Sequence, residues 1–172
     1  MSKLTKNLFA WASISEKGTI NGIPGDQTGK EVRVGNYYDF GQDAVIRVKP
    51  LKTRRKIAKI AKEMALCNQI GYGQRDRDTL FDVCKAANWD WNLVKNSLKR
   101  TPVNCDCSMF CAMAVNMGFG KQIFPKDVYT GNMESYARKH KDLTVVSLRK
   151  FKSSPYKADM PLKAEKHVII NI

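Results

Sequence analysis

The sequence has no apolar run approaching the ~20 residues that a membrane-spanning helix needs. Its first residues, MSKLTKNLFAWAS, are basic but contain no continuous apolar segment, so no secretion signal is expected. Internal repeats and low-complexity segments are absent as well. What remains is a chain of 172 residues, 43% of them hydrophobic, which fits one soluble globular domain with a sizeable core.

A paired set of cysteines is also lacking. The chain has five, at positions 67, 84, 105, 107 and 111, and three of them crowd into seven positions where pairing geometry would be awkward. We therefore expect reduced thiols rather than a disulfide framework. Histidine is scarcer still, so only His140 and His167 could serve as an imidazole base.

Acidic residues are outnumbered, with 16 Asp and Glu against 30 Lys and Arg and a formal net charge of +14. This balance predicts an anionic partner, and nucleic acid, acidic lipid and an anionic cell wall would all be attracted. The segment KPLKTRRKIAKIAKEMA could face nucleic acid, but it also fits a solvated helix face, and no nucleic-acid-binding motif accompanies it. Nucleic acid is therefore an open but less favoured partner.

The apolar periodicity predicts an α+β protein in which helices come first and strands follow. Helices are expected at residues 52–68, 76–87, 88–100, 107–118 and 129–141. Strands are expected at VRV, AVIRV, residues 143–148, residues 160–163 and the terminal HVIINI. Gly118 and Gly120 are expected to end the fourth helix.

The stretch NCDCSMFCAMAVNMG, residues 104–118, places a cysteine where a largely buried helix should begin. Asp106 can cap that helix by accepting a hydrogen bond from a free backbone N–H. Cys107 then lies in the first turn, where unpaired N–H groups and the helix dipole favour a thiolate. We therefore expect Cys107 to be the reactive cysteine.

The other cysteines have simpler interpretations. Cys67, Cys84 and Cys111 lie on apolar helix faces and are expected to pack in the core. Cys105 is undecided, because CxCxxxC with a histidine could bind zinc, although the usual paired CxxC knuckles are missing. No metal is assigned to the chain.

A nucleophilic cysteine needs a base within hydrogen-bond reach and a donor for the oxyanion. His140 lies in the charged run RKHKD and is interpreted as a surface residue. His167 opens an apolar strand, where partial burial can tune its pKa. Because a cysteine at a helix start and a later histidine can be spatial neighbours, His167 is the expected base.

The Asp106-Cys107-Ser108 motif, followed by His167 in HVIINI, resembles the NlpC-type cell-wall cysteine peptidases. These belong to the wider papain-like group that includes the CHAP amidases. The chain is also similar to catalytic domains of phage lysins of Gram-positive hosts. The shared runs, in order, are ASISEKGTINGIPGDQTGKEV, NYYDFGQDAVIRV, GYGQRDRDTL, CDCS, YTGNM and the terminal histidine strand, and they extend from residue 12 to residue 172.

The resemblance implies a papain-like (NlpC/CHAP) fold, with helices packed on a small antiparallel sheet, as a single catalytic domain over residues 1–172. It implies Cys107 as nucleophile and His167 as general base, with no cofactor. Asp106 and Ser108 resemble positions that help to receive the stem peptide. The implied activity is peptidoglycan hydrolysis, either by a cysteine peptidase cutting within the stem peptide or by an N-acetylmuramoyl-L-alanine amidase.

Asp26, Gln27 and Tyr37 match the N-terminal signature of these lysins and are candidate substrate contacts. A structural turn at Gly25-Asp26 is an equally favoured interpretation. The chain departs from the family pattern at Ala158-Asp159, where relatives usually have Gly-Asp.

A second departure concerns the polar residue that normally orients the catalytic histidine. Asn171 shares the predicted strand face with His167, but four residues of strand separate them by roughly 13 Å. The orienting group is expected to come from elsewhere, to be a backbone carbonyl, or to be absent. A degenerate, weakly active or inactive member is the corresponding alternative.

The resemblance also implies a place and a partner. The protein is expected to be a monomer that is made in the host cytoplasm without a signal peptide and acts on peptidoglycan, either released on lysis or carried on a virion. We expect its basic surface to attract teichoic acids. The alternative is a non-enzymatic basic phage protein that binds nucleic acid or wall polyanions on a degenerate hydrolase fold.

Overall fold

A computed structural model describes residues 7–172, which form six helices and nine short strands. Residues 1–6, part of the segment in which no secretion signal is expected, lie outside the described residues. The helices are α1 (Leu51–Ala65), α2 (Asp78–Ala86), α3 (Trp91–Leu98), α4 (Cys107–Phe119), α5 (Met133–Lys139) and α6 (Leu148–Ser153). The strands are β1 (Leu8–Ala12), β2 (Val32–Asn36), β3 (Ala44–Val48), β4 (Ile70–Tyr72), β5 (Val103–Cys105), β6 (Leu143–Val146), β7 (Met160–Lys163), β8 (His167–Val168) and β9 (Ile170–Asn171).

The strands form three small sheets. Two are antiparallel, with the orders β2-β1-β9 and β6-β3-β7-β8, and the third is a parallel pair of β4 and β5. The mixed helix and strand content is confirmed. The expected order of helices first and strands afterwards is wrong, because three strands precede α1, two of them at the predicted VRV and AVIRV runs, and two more pair in parallel between the helices.

Helix α4 runs through the middle of the core. Its side chains are buried from Cys107 to Gly118, which confirms the predicted buried helix. Gly118 lies so close to α1 that an added Cβ would come within 2.0 Å of the Ile57 side chain. The helix ends at Gly120, which adopts φ 68°, so Gly120 rather than Gly118 is its terminator.

The terminal HVIINI does not form the single strand that its composition predicts. It divides at Ile169 into β8, which pairs with β7, and β9, which pairs with β1 in a different sheet. The Ile169 N–H donates to the carbonyl of Pro161 at 3.2 Å. His167 and Asn171 therefore belong to separate strands, and the idea that they share one strand face is wrong.

Within residues 7–172, no helix combines the length and the apolar content that crossing a membrane requires.

A buried ion pair fixes the turn from which β7 begins. Arg47 on β3 donates to the two oxygens of Asp159 at 2.8 and 2.6 Å, and Asp159 is fully buried. The Tyr156 N–H also donates to Asp159, at 2.8 Å. Ala158, at the departure from the usual Gly-Asp, adopts φ 62°, a left-handed conformation that costs an alanine roughly 1–2 kcal/mol.

Replacing Arg47 with Met should lower the free energy of unfolding by about 3–5 kcal/mol, because Asp159 would stay buried without its charge partner. The matched control is Arg138→Met, which removes an exposed pair with Glu134 at 2.6 Å and should cost no more than about 0.5 kcal/mol. Denaturant unfolding of both variants beside the wild type measures the difference. Equally small losses would show that the buried pair does not stabilise this turn.

Candidate functional site

The site begins at the first turn of α4. The Asp106 carboxylate caps the helix by accepting the Met109 N–H at 2.7 Å, as expected from the sequence. The Ser108 hydroxyl lies 2.7 Å from the same oxygen of Asp106 and donates to it. These bonds hold Cys107 at the first helical position, with Asp106 and Ser108 on either side of it.

Arg77, at the N-terminal end of α2, joins this arrangement from the other side. Its Nε lies 3.2 Å from the second oxygen of Asp106. Its Nη2 donates to the Val128 carbonyl and lies 3.4 Å from the Ser108 hydroxyl. Sequence reasoning missed Arg77, although it lies in the GYGQRDRDTL run that carries part of the family resemblance.

Cys107 and His167 line the same cleft, which has a volume of about 370 Å³. Four of the runs that carry the resemblance supply most of its wall, namely GYGQRDRDTL, CDCS, YTGNM and the histidine strand. The lining residues are Ser13, Tyr72, Gln74, Arg77, Asp106, Cys107, Ser108, Tyr129, Thr130, Glu165, Lys166 and His167. The structure thus brings together four predicted site residues, Asp106, Cys107, Ser108 and His167.

The Cys107 sulfur is buried against backbone. Burial raises the pKa of the Cys107 thiol to about 12, and the neighbouring Asp106 carboxylate raises it too. The nearby backbone N–H groups of Val168 and Ser108 and the charge of Arg77 lower that pKa only in part. Loss of hydration thus outweighs the favourable helix terminus and keeps Cys107 in the thiol form in the free protein.

His167 is neutral for the same reason, since burial lowers the pKa of its imidazole to about 4. Its ring lies edge-on to Phe40 at 5.2 Å and tilted against Tyr38 at 6.2 Å. The Nε2 atom is buried and has no hydrogen-bond partner among the described residues. Asn171 does not orient the ring, because its amide donates to the Tyr156 carbonyl at 2.8 Å. Aromatic contacts therefore fix the ring on that side.

The three candidates from the N-terminal signature lie outside the lining of the cleft. Asp26 is buried, and its oxygens accept backbone N–H groups from residues 28, 30, 31 and 32, which is the arrangement of a structural turn. Gln27 donates to the Pro24 carbonyl at 3.0 Å. Tyr37 bonds to Gln42 and packs on Phe9 with ring centres 5.4 Å apart. Their assignment as substrate contacts stays a prediction.

All five cysteines are free thiols, as expected. Cys84, Cys105 and Cys111 are fully buried, so the undecided Cys105 packs in the core, and Cys67 is partly buried. Among residues 7–172, no group of three or more His, Cys, Asp and Glu side chains is placed to hold a metal ion. His140 is half-buried against Phe119, with ring centres 5.7 Å apart, rather than fully solvated.

Comparison with known families adds one finding. Residues 9–172 match the model of a family described as an endolysin-like domain. No curated protein and no solved structure gives a significant match. The family match supports the lysin part of the sequence resemblance over nearly the same residues.

Iodoacetamide should alkylate Cys107 slowly near neutral pH and faster as the pH rises, because the thiolate is the reacting form and the pKa of this thiol is about 12. Peptide mapping by mass spectrometry measures the rate at each cysteine. The partly buried Cys67 serves as an internal reference in the same sample. Rapid labelling of Cys107 at about pH 6 would instead reveal a preformed thiolate and imidazolium pair.

Proposed function

The chain belongs to the endolysin-like domain family, and on that premise we propose that it is a phage-lysin-type peptidoglycan hydrolase. We propose further that Cys107 and His167 cleave an amide bond of the wall peptide, on a fold of the papain-like NlpC/CHAP group. The observation that carries this proposal is the shared cleft, in which a cysteine at a helix start faces the same space as a histidine at a strand start.

In this mechanism the Cys107 sulfur attacks the amide carbonyl carbon while the thiol proton passes to His167. The backbone N–H of Cys107 is the candidate donor to the oxyanion of the tetrahedral intermediate. Collapse of the intermediate breaks the carbon–nitrogen bond, and the imidazolium protonates the leaving amine. Water then attacks the thioester with His167 as base, which releases the acid and restores the thiol.

The protonation states of the free protein constrain the first step. Transfer of a proton from a thiol with a pKa of about 12 to an imidazole with a pKa of about 4 is strongly uphill. In the proposed mechanism the transfer accompanies formation of the carbon–sulfur bond rather than preceding it. His167 can accept that proton only while it is neutral, so acid inactivation should appear as the pH falls towards 4.

Asp106 and Ser108 are proposed to receive the stem peptide, together with Arg77. One oxygen of Asp106 is already used by the helix cap, and the other faces Arg77 at 3.2 Å. The Asp106 carboxylate is therefore largely neutralised by a fixed cation. A substrate would meet a polar wall that holds one charge of each sign.

The second candidate is a non-enzymatic binder on the same fold. It is favoured by the unpartnered Nε2 of His167 together with the protonated Cys107 thiol, because a poised catalytic pair would normally share a hydrogen bond. The wall-lysis assay below decides between the two candidates.

Wild-type protein should clear a suspension of purified Gram-positive cell walls, and Cys107→Ala should abolish the clearing because it removes the nucleophile. His167→Ala should slow it by at least about 100-fold, the usual contribution of a general acid or base. Turbidity gives the rates, and mass spectrometry of the released fragments identifies the bond, either within the stem peptide or between muramic acid and L-alanine.

The matched control is Cys67→Ala, which removes a partly buried thiol outside the cleft and should retain activity. Lysis by the Cys107→Ala protein would overturn the mechanism. Failure of the wild type to lyse walls at any pH from mildly acidic to neutral would favour the binder.

A further inference from the structure

Two adjoining clefts lie beside β6, the edge strand of the β6-β3-β7-β8 sheet. Their volumes are about 540 and 410 Å³, and they share Lys49, Thr144 and Val145. We call the two neighbouring clefts together the β6 groove. Among the described residues, no Asp or Glu lines it.

Five cations of the β6 groove are in no ion pair within the described part of the chain. They are Lys49, Arg54, Lys139, Lys141 and Lys150. Other surface lysines do have carboxylate partners, such as Lys126 with Asp82 at 2.9 Å and Lys163 with Asp43 at 2.7 Å. Five cations without a carboxylate partner therefore lie side by side in a groove that no Asp or Glu lines.

Arg54 shows that the β6 groove is more than a set of mobile surface lysines. Its guanidinium lies 4.3 Å from the centre of the Tyr156 ring, which restricts its orientation. Its Nε is buried and has no hydrogen-bond partner among the described residues. A guanidinium held in this way presents a fixed positive charge to an anion in the groove.

Protection of an exposed strand edge is the simpler explanation for basic residues beside β6. That role places charges on the edge strand itself. None of the five cations lies on β6, because they come from α1, α5, α6 and the segments next to β3 and β6. Their placement on the walls fits a binding groove better than edge protection.

We propose that the β6 groove binds a linear phosphate polymer of the Gram-positive wall, a chain of polyols joined by phosphodiesters. Lysines act as point charges and match a flexible row of phosphates. Single-stranded nucleic acid would also need aromatic faces on which bases can stack. The two aromatic rings of the groove are already engaged, since Tyr156 contacts Arg47 and Arg54 at 4.0 and 4.3 Å and His140 packs against Phe119 at 5.7 Å.

The groove and the cleft lie at opposite ends of α4. Cys107 is the first residue of this helix, and Phe119, the last, contacts His140, which lines the groove. Twelve steps of 1.5 Å separate the two ends by about 18 Å. A polymer held in the groove therefore leaves the cleft free, and it tethers the protein to the wall while the cleft acts. This role rests on the proposed function, but the binding itself does not require Cys107 chemistry.

The test measures binding to purified walls in a Cys107→Ala background, so that hydrolysis cannot interfere. The groove variant carries Lys49→Gln, Lys141→Gln and Lys150→Gln. The matched control carries Lys62→Gln, Lys85→Gln and Lys121→Gln, three exposed lysines outside the groove, so both proteins have the same net charge. Sedimentation is run with untreated walls and with walls stripped of phosphodiester polymers by hydrofluoric acid.

We expect the groove variant to bind untreated walls at least about tenfold more weakly than the control. The slope of log binding constant against log salt concentration should be shallower, by the amount that corresponds to about two to three lost phosphate contacts. Stripped walls should remove the difference. Equal binding by the two variants, or unchanged binding to stripped walls, overturns the proposal. Tight binding of a single-stranded oligonucleotide that is lost only in the groove variant assigns the groove to nucleic acid instead.

None of the outcomes of the binding experiment depends on lysis. Failure of the hydrolase proposal and failure of the groove proposal can therefore be distinguished. The tether role is tested by restoring Cys107 in both lysine variants. If the groove variant then clears walls as fast as the control, the tether role is wrong even where binding is confirmed.

Discussion

Twelve of the thirteen residues of α4 are buried, so almost no turn of this helix meets water. Such a helix needs partners on every side, and its neighbours are fitted to it closely. Gly118 has no side chain, which allows α1 to pack closely against α4. The Asn116 side-chain amide forms hydrogen bonds with the backbone of Ile123 and Phe124 and so holds the segment that follows the helix. The capping carboxylate of Asp106 is the one strongly polar group at its start. Placing a cysteine directly after that cap puts the sulfur inside the protein rather than on its surface.

That placement decides the charge state of the site. A helix terminus stabilises an anion in its first turn by about 0.3–1 kcal/mol. Full burial can raise the pKa of a thiol by 3–5, which corresponds to roughly 4–7 kcal/mol. Desolvation therefore outweighs the dipole at Cys107, and the same effect with the opposite sign keeps His167 neutral. A neutral pair also resists oxidation, because the thiolate is the form that oxidants attack.

The sequence predicts the features that rest on long periodic patterns or on local chemistry. α1, α2 and α4 follow their apolar spacing, and Asp106 caps α4 through a contact three residues away. That Cys107 and His167 line one cleft was also predictable, because the chain has only two histidines and His140 lies in a charged run.

What the sequence does not predict depends on contacts between distant residues. β4 and β5 have three residues each and show no period. Gly71 follows α1 and looks like a helix terminator in the sequence. It is required for a different reason, because an added Cβ would come within 2.1 Å of the Gly25 carbonyl oxygen. Arg77 is recognisable only once Asp106 and Val128 lie beside it. The sign of the Cys107 pKa change follows from burial, which spacing alone does not reveal.

The charge of the protein is distributed unevenly between the two ends of α4. Around the cleft, Arg77 and Lys166 are balanced by Asp106 and Glu165. The β6 groove has five cations that find no carboxylate partner among residues 7–172. Attraction to a polyanion is therefore stronger at the groove than at the cleft, and it weakens with salt over a Debye length of about 8–10 Å. Because the ends of α4 are about 18 Å apart, which exceeds this Debye length, a polyanion at the groove would have little effect on the charge state of Cys107.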